Sequence, residues 1–381
     1  MISNLKHQFM LDSDVTFLNH GSFGACAKPV YENLLEWQTK MEQEPVKFFD
    51  DILFDALKAS RQVLGNYIGC SSNDLVYFPN PTTAVNAVAR SLKLKPGDEV
   101  LSTNHIYGAL DRSWKYICAE KKARFIKADI PFPIQSKDDF FTCFFSAVTD
   151  HTKVIFLSHI TSMTAMKFPV EEVIQFAKEK KILTIIDGAH VPGHISLDIK
   201  KLDVDIYTGA CHKWMCTPKG VSFLYVRKEL QKDIHPLVVS WGWESENPGP
   251  SEFLDWHEWQ GTRDMSACLT IPIAVKFLEE HNWPEVSKKC REEVVRARDQ
   301  FLNLLNIPSP LCPNSWLGQM ASIPLPIKDA DAFKKKLLET HQIQVPIFQW
   351  EEKVYLRYSI QAYNSKSDLE KLLSAVKKLL S

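Results

Sequence analysis

The chain has 381 residues, 45% apolar and 24% charged, enough for one large unit and a smaller companion. Its 45 Lys and Arg balance 46 Asp and Glu for a formal net charge of −1, which gives no electrostatic case for nucleic acid or an anionic membrane. Nine cysteines, an odd count with no CxxC pair and no Cys/His cluster at zinc spacing, read as reduced thiols rather than a disulfide framework or metal site.

The opening segment, Met1-Ile-Ser-Asn-Leu-Lys-His-Gln-Phe9, lacks the long apolar core of a secretion signal. No apolar run approaches the ~20 residues of a membrane span, so a cytoplasmic enzyme is the expectation. Asn19-His-Gly-Ser-Phe-Gly24 is a glycine-spaced turn able to bring Asn19 close to a ligand, or simply a turn. Asn80-Pro-Thr-Thr-Ala-Val-Asn86 opens an apolar helical run, Val85 to Leu92. Alone it reads as an N-cap; with the residues below, Thr82 and Thr83 make an anion site at a helix N-terminus. Asp98 to Thr103 reads as a strand, and an aromatic ring in the following Asn104-His-Ile-Tyr-Gly108 could cover a flat ligand, Tyr107 first and His105 second.

Further strands follow at Ala123–Ala128, Thr152–His159, Ile182–Asp187, Val204–Thr208 and Gly220–Val226, with a helical pattern from Val170 to Lys180. Strands alternating with helices predict a mostly parallel sheet covered on both faces. Ligands in such sheets lie beyond the carboxyl ends of the strands. His105–Tyr107, His159, Asp187 and Thr208–Lys213 all fall at such ends. After about residue 265 the texture changes: a helix from Ile271 to Leu305, a loop with Pro308, Pro310 and Pro313, then strand, helix, strand, helix at Met320–Leu325, Ala330–His341, Val354–Ser359 and Ser367–Leu380. The expected division is an N-terminal arm (1–16) associated with a small α+β domain (266–381), and a large domain (17–265).

Lys213, in Ala210-Cys-His-Lys-Trp, and Asp187, closing the apolar run Ile182-Leu-Thr-Ile-Ile186, are both badly placed for solvated surface charges. One chemistry needs both. A lysine forms a Schiff base with pyridoxal 5′-phosphate (PLP), and a carboxylate keeps the pyridine nitrogen protonated so that the ring acts as an electron sink. His190, three residues after Asp187, could hydrogen-bond the ring's 3-oxygen or a substrate oxygen. Arg357, in Tyr355-Leu-Arg-Tyr-Ser359, is a cation in an apolar strand; it calls for an anion, either a substrate α-carboxylate or a structural salt-bridge partner.

Eight motifs in order then resemble one family: Phe17-Leu-Asn-His-Gly-Ser-Phe-Gly24, Asn80 to Asn86, His105-Ile-Tyr-Gly-Ala109, Ser158-His-Ile-Thr-Ser162, Asp187-Gly-Ala-His190, Cys211-His-Lys-Trp214, Trp259-Gln-Gly-Thr-Arg-Asp264 and Leu356-Arg-Tyr-Ser359. The chain resembles the fold-type-I PLP enzymes of aminotransferase class V, within them the isopenicillin N epimerase-like and hercynylcysteine sulfoxide lyase-like subgroup. The resemblance implies a seven-stranded sheet, an amino-acid-like substrate and a homodimer with active sites at the subunit interface. It implies that Gly261-Thr262 reaches the neighbour's cofactor phosphate and that His212 contacts the same phosphate. Ser162 would lie near the 3-oxygen and the substrate carboxylate, Arg357 and Asn19 would hold that carboxylate, and Arg263 would select the distal part of the substrate. No metal is implied. Ala210 replaces the usual Asn or Ser phosphate ligand, and Ser162-Met-Thr-Ala165 replaces the commoner Ser-Pro-Thr-Gly. The mobile cysteine of desulfurases is missing from Val345 to Lys353; the nearest upstream is Cys312. An epimerase is the leading expectation, with a C–S β-lyase as close rival, a class V aminotransferase third, and a non-catalytic PLP-fold binding protein the reading from another class.

Overall fold

The computed structural model describes residues 5–381; Met1 to Asn4, which begin the expected N-terminal arm, lie outside the described residues. The strands are β1 (Thr16–Phe17), β2 (Leu75–Phe78), β3 (Glu99–Thr103), β4 (Arg124–Ala128), β5 (Thr152–Ser158), β6 (Leu183–Gly188), β7 (Ile206–Ala210), β8 (Ser222–Val226), β9 (Met320–Leu325), β10 (Ile343–Gln344), β11 (Ile347–Trp350) and β12 (Lys353–Ser359). Seven of them form one sheet in the order β2-β8-β7-β6-β5-β3-β4. Only β8 is reversed, antiparallel to both β7 and β2. β5 and β6 sit near its middle and are buried along almost their whole length, as their near-continuous apolar runs predict for strands covered on both faces.

The covering helices follow their sequence signals. Val170–Glu179 buries Val170, Val173, Ile174 and Ala177 on one face and places Glu171 and Glu172 in its first turn. Pro81–Ser91 begins with Pro81 in its first turn and is capped by Asn80, whose side chain accepts the Thr83 N–H. β9, β12 and β11 form a separate antiparallel sheet.

Four details differ from the sequence reading. The helix expected from Ile271 to Leu305 is two, Ile271–Glu280 and Trp283–Leu304. Asn282 between them is left-handed at φ 46, and Pro284, which has no N–H to continue a helix, starts the second one instead. β2 is a fully buried four-residue strand, too short to show alternation. β7 begins two residues later than read and runs to Ala210, so only Cys211 and His212 separate its end from Lys213. The segment before Arg357, given no element in the sequence reading, is a tight β11–β12 hairpin with Trp350 opposite Lys353.

β1 pairs in parallel with β10, and this ties the N-terminal segment to β12. Leu18 N–H donates to the Gln344 carbonyl at 2.9 Å, and Ser359 N–H to the Leu18 carbonyl at 2.9 Å. The next turn of chain is thereby pressed onto the Lys213 backbone. Gly24 is at φ 70, and a Cβ there would lie 2.1 Å from the His212 carbonyl oxygen and 2.8 Å from Lys213 Cα. A side chain fits neither that φ nor that space. Gly24→Ala is therefore expected to cost about 3 kcal/mol, read as a lower thermal midpoint with reduced cofactor retention. An unchanged midpoint with full cofactor content would contradict this packing.

Candidate active site

The carboxyl ends of β3, β5, β6 and β7 bring Tyr107, Ser162, Asp187, His190 and Lys213 to one side of the sheet, and β12 adds Arg357 from the separate sheet. Lys213 follows β7 across two residues. Its carbonyl accepts from His20 Nε2–H at 2.9 Å; His20 Nδ1 is the acceptor side, taking Ala25 N–H at 3.3 Å. Lys213 Nζ lies 3.3 Å from His190 Nε2, while Trp214 Nε1–H donates to His190 Nδ1 at 3.2 Å. Burial, reinforced by the Arg357 charge and only partly opposed by Asp187, pushes the Lys213 amine down to about 8. The lysine is thus still mostly protonated at neutral pH, but burial gives it a far larger free-base fraction than a surface lysine has.

Asp187 ends β6 and is 4% exposed. Its Oδ1 accepts Ala189 N–H at 3.0 Å, its one recorded side-chain hydrogen bond. Burial raises its carboxyl, and the Ala189 N–H and Lys213 pull it back. His159 stands behind this strand end: its N–H donates to the Asp187 carbonyl at 2.9 Å, its Nδ1 is 3.1 Å from the Tyr207 hydroxyl, and burial pushes it down to about 3. It is a buried structural histidine.

Arg357 is 5% exposed and all its recorded partners are neutral. Nη2 donates to Ser22 Oγ at 2.8 Å. Nη1 donates to the Ser162 carbonyl and, at 3.3 Å, to Ser162 Oγ. Nε is buried without a partner. Ser22 in turn donates to Asn19 Oδ1 at 2.5 Å, so Asn19 meets Arg357 through Ser22. Among the described residues no Asp or Glu pairs with Arg357, which sets aside the structural salt bridge. Tyr107 is 45% exposed, and its hydroxyl is near enough to bear electrostatically on Arg357. His105 is instead buried between Thr164 Oγ1 at 2.8 Å and the Ile130 carbonyl at 2.9 Å, with Trp350 over its ring.

The expected anion site is partly committed within the chain. Asn80 Oδ1 takes both the Thr83 N–H at 2.8 Å and the Thr83 hydroxyl at 3.0 Å. Thr82 keeps its hydroxyl free of recorded bonds, its carbonyl accepting from Asn86 at 2.9 Å. His212 Nδ1–H donates to the Val221 carbonyl at 3.0 Å, leaving Nε2 for a ligand. Burial and the Lys213 charge push this ring down to about 4. Thr262 is exposed. Arg263 is not brought to Lys213 or Arg357: its Nη2 reaches the His257 carbonyl at 3.5 Å and its Nε is buried without a partner.

A family model for aminotransferase class V matches residues 49–372. The chain belongs to the aminotransferase class V family. Over 99% of its length it is 29% identical to isopenicillin N epimerase from Amycolatopsis lactamdurans, covering 98% of that protein. It is also 29% identical to an L-cysteine desulfhydrase from Arabidopsis thaliana, over 96% of this chain and 88% of that one. A cysteine desulfurase structure from Thermococcus onnurineus superposes with a TM-score of 0.84 at 18% identity, covering 98% of this chain and 97% of that chain. The family and fold are those of a PLP-dependent enzyme, and its cofactor is PLP.

The residues of this class V chain fit that cofactor. Asp187 is a buried carboxylate short of donors, which a protonated ring nitrogen supplies. Lys213 is a depressed amine in reach of an aldehyde carbon. His190 offers a ring N–H, suited to an anionic oxygen. The departures from the family pattern have structural consequences too. Ala210 is fully buried and offers no side-chain donor. Ala165, at the position where relatives carry glycine, is held left-handed at φ 59, a conformation costly for a residue with a Cβ. Ser22, His20 and Trp214 were not singled out from sequence as functional, although each lies inside a quoted motif; their roles depend on contacts across more than twenty residues.

The free-base fraction of Lys213 sets its reactivity. In the PLP-free protein, acylation of Lys213 by an amine-directed reagent, followed by peptide mapping, is expected to rise with pH around a midpoint near 8. Surface lysines titrate around 10.4. A Lys213 midpoint equal to theirs would contradict the depressed amine.

Proposed function

We propose that this enzyme binds an amino acid, or the aminoacyl end of a larger molecule, by its α-carboxylate and moves its α-proton, with epimerisation as the leading outcome. The observation that carries the reading is Arg357: a buried guanidinium with only neutral partners and an unpartnered Nε, beside a depressed lysine. A buried arginine without an anion is costly, and a planar carboxylate is its natural bidentate partner.

When bound, PLP supplies an electron sink for the charge left at Cα as a bond there breaks. Asp187 orients the ring through its nitrogen and keeps that nitrogen protonated. Thr82, the N-terminus of the helix Pro81–Ser91 and His212 hold the phosphate; with Nδ1–H tied to Val221, His212 must gain a proton on Nε2 to donate, and the phosphate's negative charge favours that gain. Tyr107 would cover the cofactor ring, Ser162 and Asn19 would frame the carboxylate with Arg357, and Lys213 would take the α-proton as a general base.

The 29% identity to an epimerase along nearly the full length of both chains supports epimerisation. Elimination of a β-sulfur is the second reading. It asks for one base, and His190 offers an N–H to Lys213 rather than a second lone pair. A persulfide mechanism has little support: Cys312 is buried and its thiol is pushed up to about 12 by burial.

The homodimer forms part of the same proposal. Thr262 is exposed next to Gly261 at φ 98. His257 Nδ1, Gln260 Nε2, Arg263 Nε and Ser266 Oγ are buried without partners around it. Earlier in the chain, Val239 and Trp241 are 68% and 74% exposed, an apolar surface suited to a second copy. Arg263 would meet substrate, if at all, only in that assembly. No helix among the described residues is long and apolar enough to cross a membrane; a cytoplasmic location remains part of the proposal.

Incubation with cysteine, S-substituted cysteines and ordinary L-amino acids in D2O separates the outcomes. Epimerisation places deuterium at Cα in both enantiomers without keto acid, whereas β-elimination releases pyruvate and a thiol. Lys213→Ala is expected to lose exchange and the cofactor's visible lysine-linked absorbance together. The absence of both exchange and product with every substrate tried, by fully loaded enzyme, would overturn the reading.

A further inference from the structure

The ring of His190 has its protonation state dictated from behind. Trp214 is fully buried, and its indole nitrogen is a donor with no acceptor capacity. It lies 3.2 Å from His190 Nδ1, so that nitrogen carries the lone pair. His190 is 2% exposed and cannot readily take a second proton among the cations around it, so its one proton sits on Nε2, the atom 3.3 Å from Lys213 Nζ. An Nε2–H facing an ammonium would set two donors against each other. The same N–H facing a neutral amine makes a hydrogen bond.

The indole is itself held rigidly. His194 stacks on it at 4.0 Å and 27°, and His194 Nδ1–H donates to the His190 carbonyl at 2.8 Å. His194 Nε2 accepts Gln319 N–H, which fixes that tautomer in turn. Gly193, at φ 81, packs against the Trp214 backbone, where a Cβ would lie 2.4 Å from its carbonyl carbon. The charged and titratable groups facing His190 and Lys213 are Arg357 from β12, Asp187 from the end of β6, His212 beside Lys213, and His194 behind the indole.

We propose that Trp214 is a positioning residue whose indole N–H fixes His190 as the Nε2–H tautomer, so that His190 serves as a hydrogen-bond donor at Lys213 and not as a base. The tautomer, rather than the identity of the histidine alone, thereby helps the lysine give up its proton at lower pH. If the indole N–H were lost, His190 could turn its lone pair on Nε2 towards Lys213 and accept from the ammonium form, and the lysine would hold its proton to higher pH.

The test uses full-length protein with 15N-labelled histidine, with and without PLP, and the variant Trp214→Phe, which keeps an aromatic ring against His194 and removes the N–H together with part of the indole. Long-range 15N–1H spectra of the wild type are expected to show His190 as the Nε2–H tautomer at pH 7 in both states. In Trp214→Phe the other tautomer appears, and the midpoint for acylation of Lys213 in the PLP-free protein rises by about half a pH unit or more. That rise corresponds to about 0.7 kcal/mol. A merely structural role for Trp214 would lower the thermal midpoint and leave both of these readings unchanged, and that result overturns the proposal. Should the variant not fold, the wild-type spectrum still decides: an Nδ1–H or doubly protonated His190 refutes it. The PLP-free measurements do not depend on the proposed reaction, so failure here is distinguishable from failure of the proposed function.

Discussion

Two cations and one carboxylate share a site largely closed to water, and most of what surrounds them answers that constraint. Lys213 and Arg357 each disfavour the other's charge, and Asp187 is only one counter-charge, beyond ion-pair contact with either. The two cations resolve the conflict differently. The lysine yields and titrates near 8. The guanidinium is pushed down only to about 10 and keeps its charge. A site containing an easily deprotonated lysine and an unneutralised arginine suits a molecule that brings a carbonyl-type carbon and a carboxylate.

The fold holds this unfavourable arrangement by drawing on three distant parts of the chain. The parallel sheet delivers Asp187, His190 and Lys213 from adjacent strand ends. The β9–β12–β11 sheet delivers Arg357. The N-terminal segment, locked by β1 against β10 and by Leu18 between Gln344 and Ser359, inserts Ser22 as the hydroxyl shared by Arg357 and Asn19. The close contact of Gly24 with the Lys213 backbone makes the segment part of the site's wall. Neutral oxygens around Arg357 position it without satisfying its charge, so the demand for an anion remains for the substrate.

Much of this was legible from residue order because the signals are local. Asp187 and Lys213 stand out as charges ending apolar strands, and continuous apolar runs such as Thr152–Ser158 identify central strands before any pairing is known. The less legible features arise from competition between partners. Thr83 looks like a phosphate ligand until Asn80 is seen to take both of its donors. Sequence ranks Tyr107 ahead of His105 as the aromatic candidate without a contact to decide it, and Thr164, Ile130 and Trp350 enclose the histidine while the tyrosine stays half-exposed. Arg263 shares a motif with Thr262, yet its contacts in a single chain run to the His257 carbonyl. The break at Asn282 lies in the one helical run with a proline two residues ahead, a signal outweighed in the sequence by the apolar period on either side.

The central claim, that Arg357 is a buried cation reserved for a substrate carboxylate, is tested most directly by titrating the loaded enzyme with an L-amino acid substrate and with the amine that lacks only its carboxylate, following the cofactor's visible absorbance. Loss of a buried charge-assisted pair, worth 2–5 kcal/mol, predicts that the amine binds about 100-fold more weakly or worse, and that Arg357→Ala removes most of that difference. Equal affinity for the two ligands in the unaltered enzyme would contradict the account.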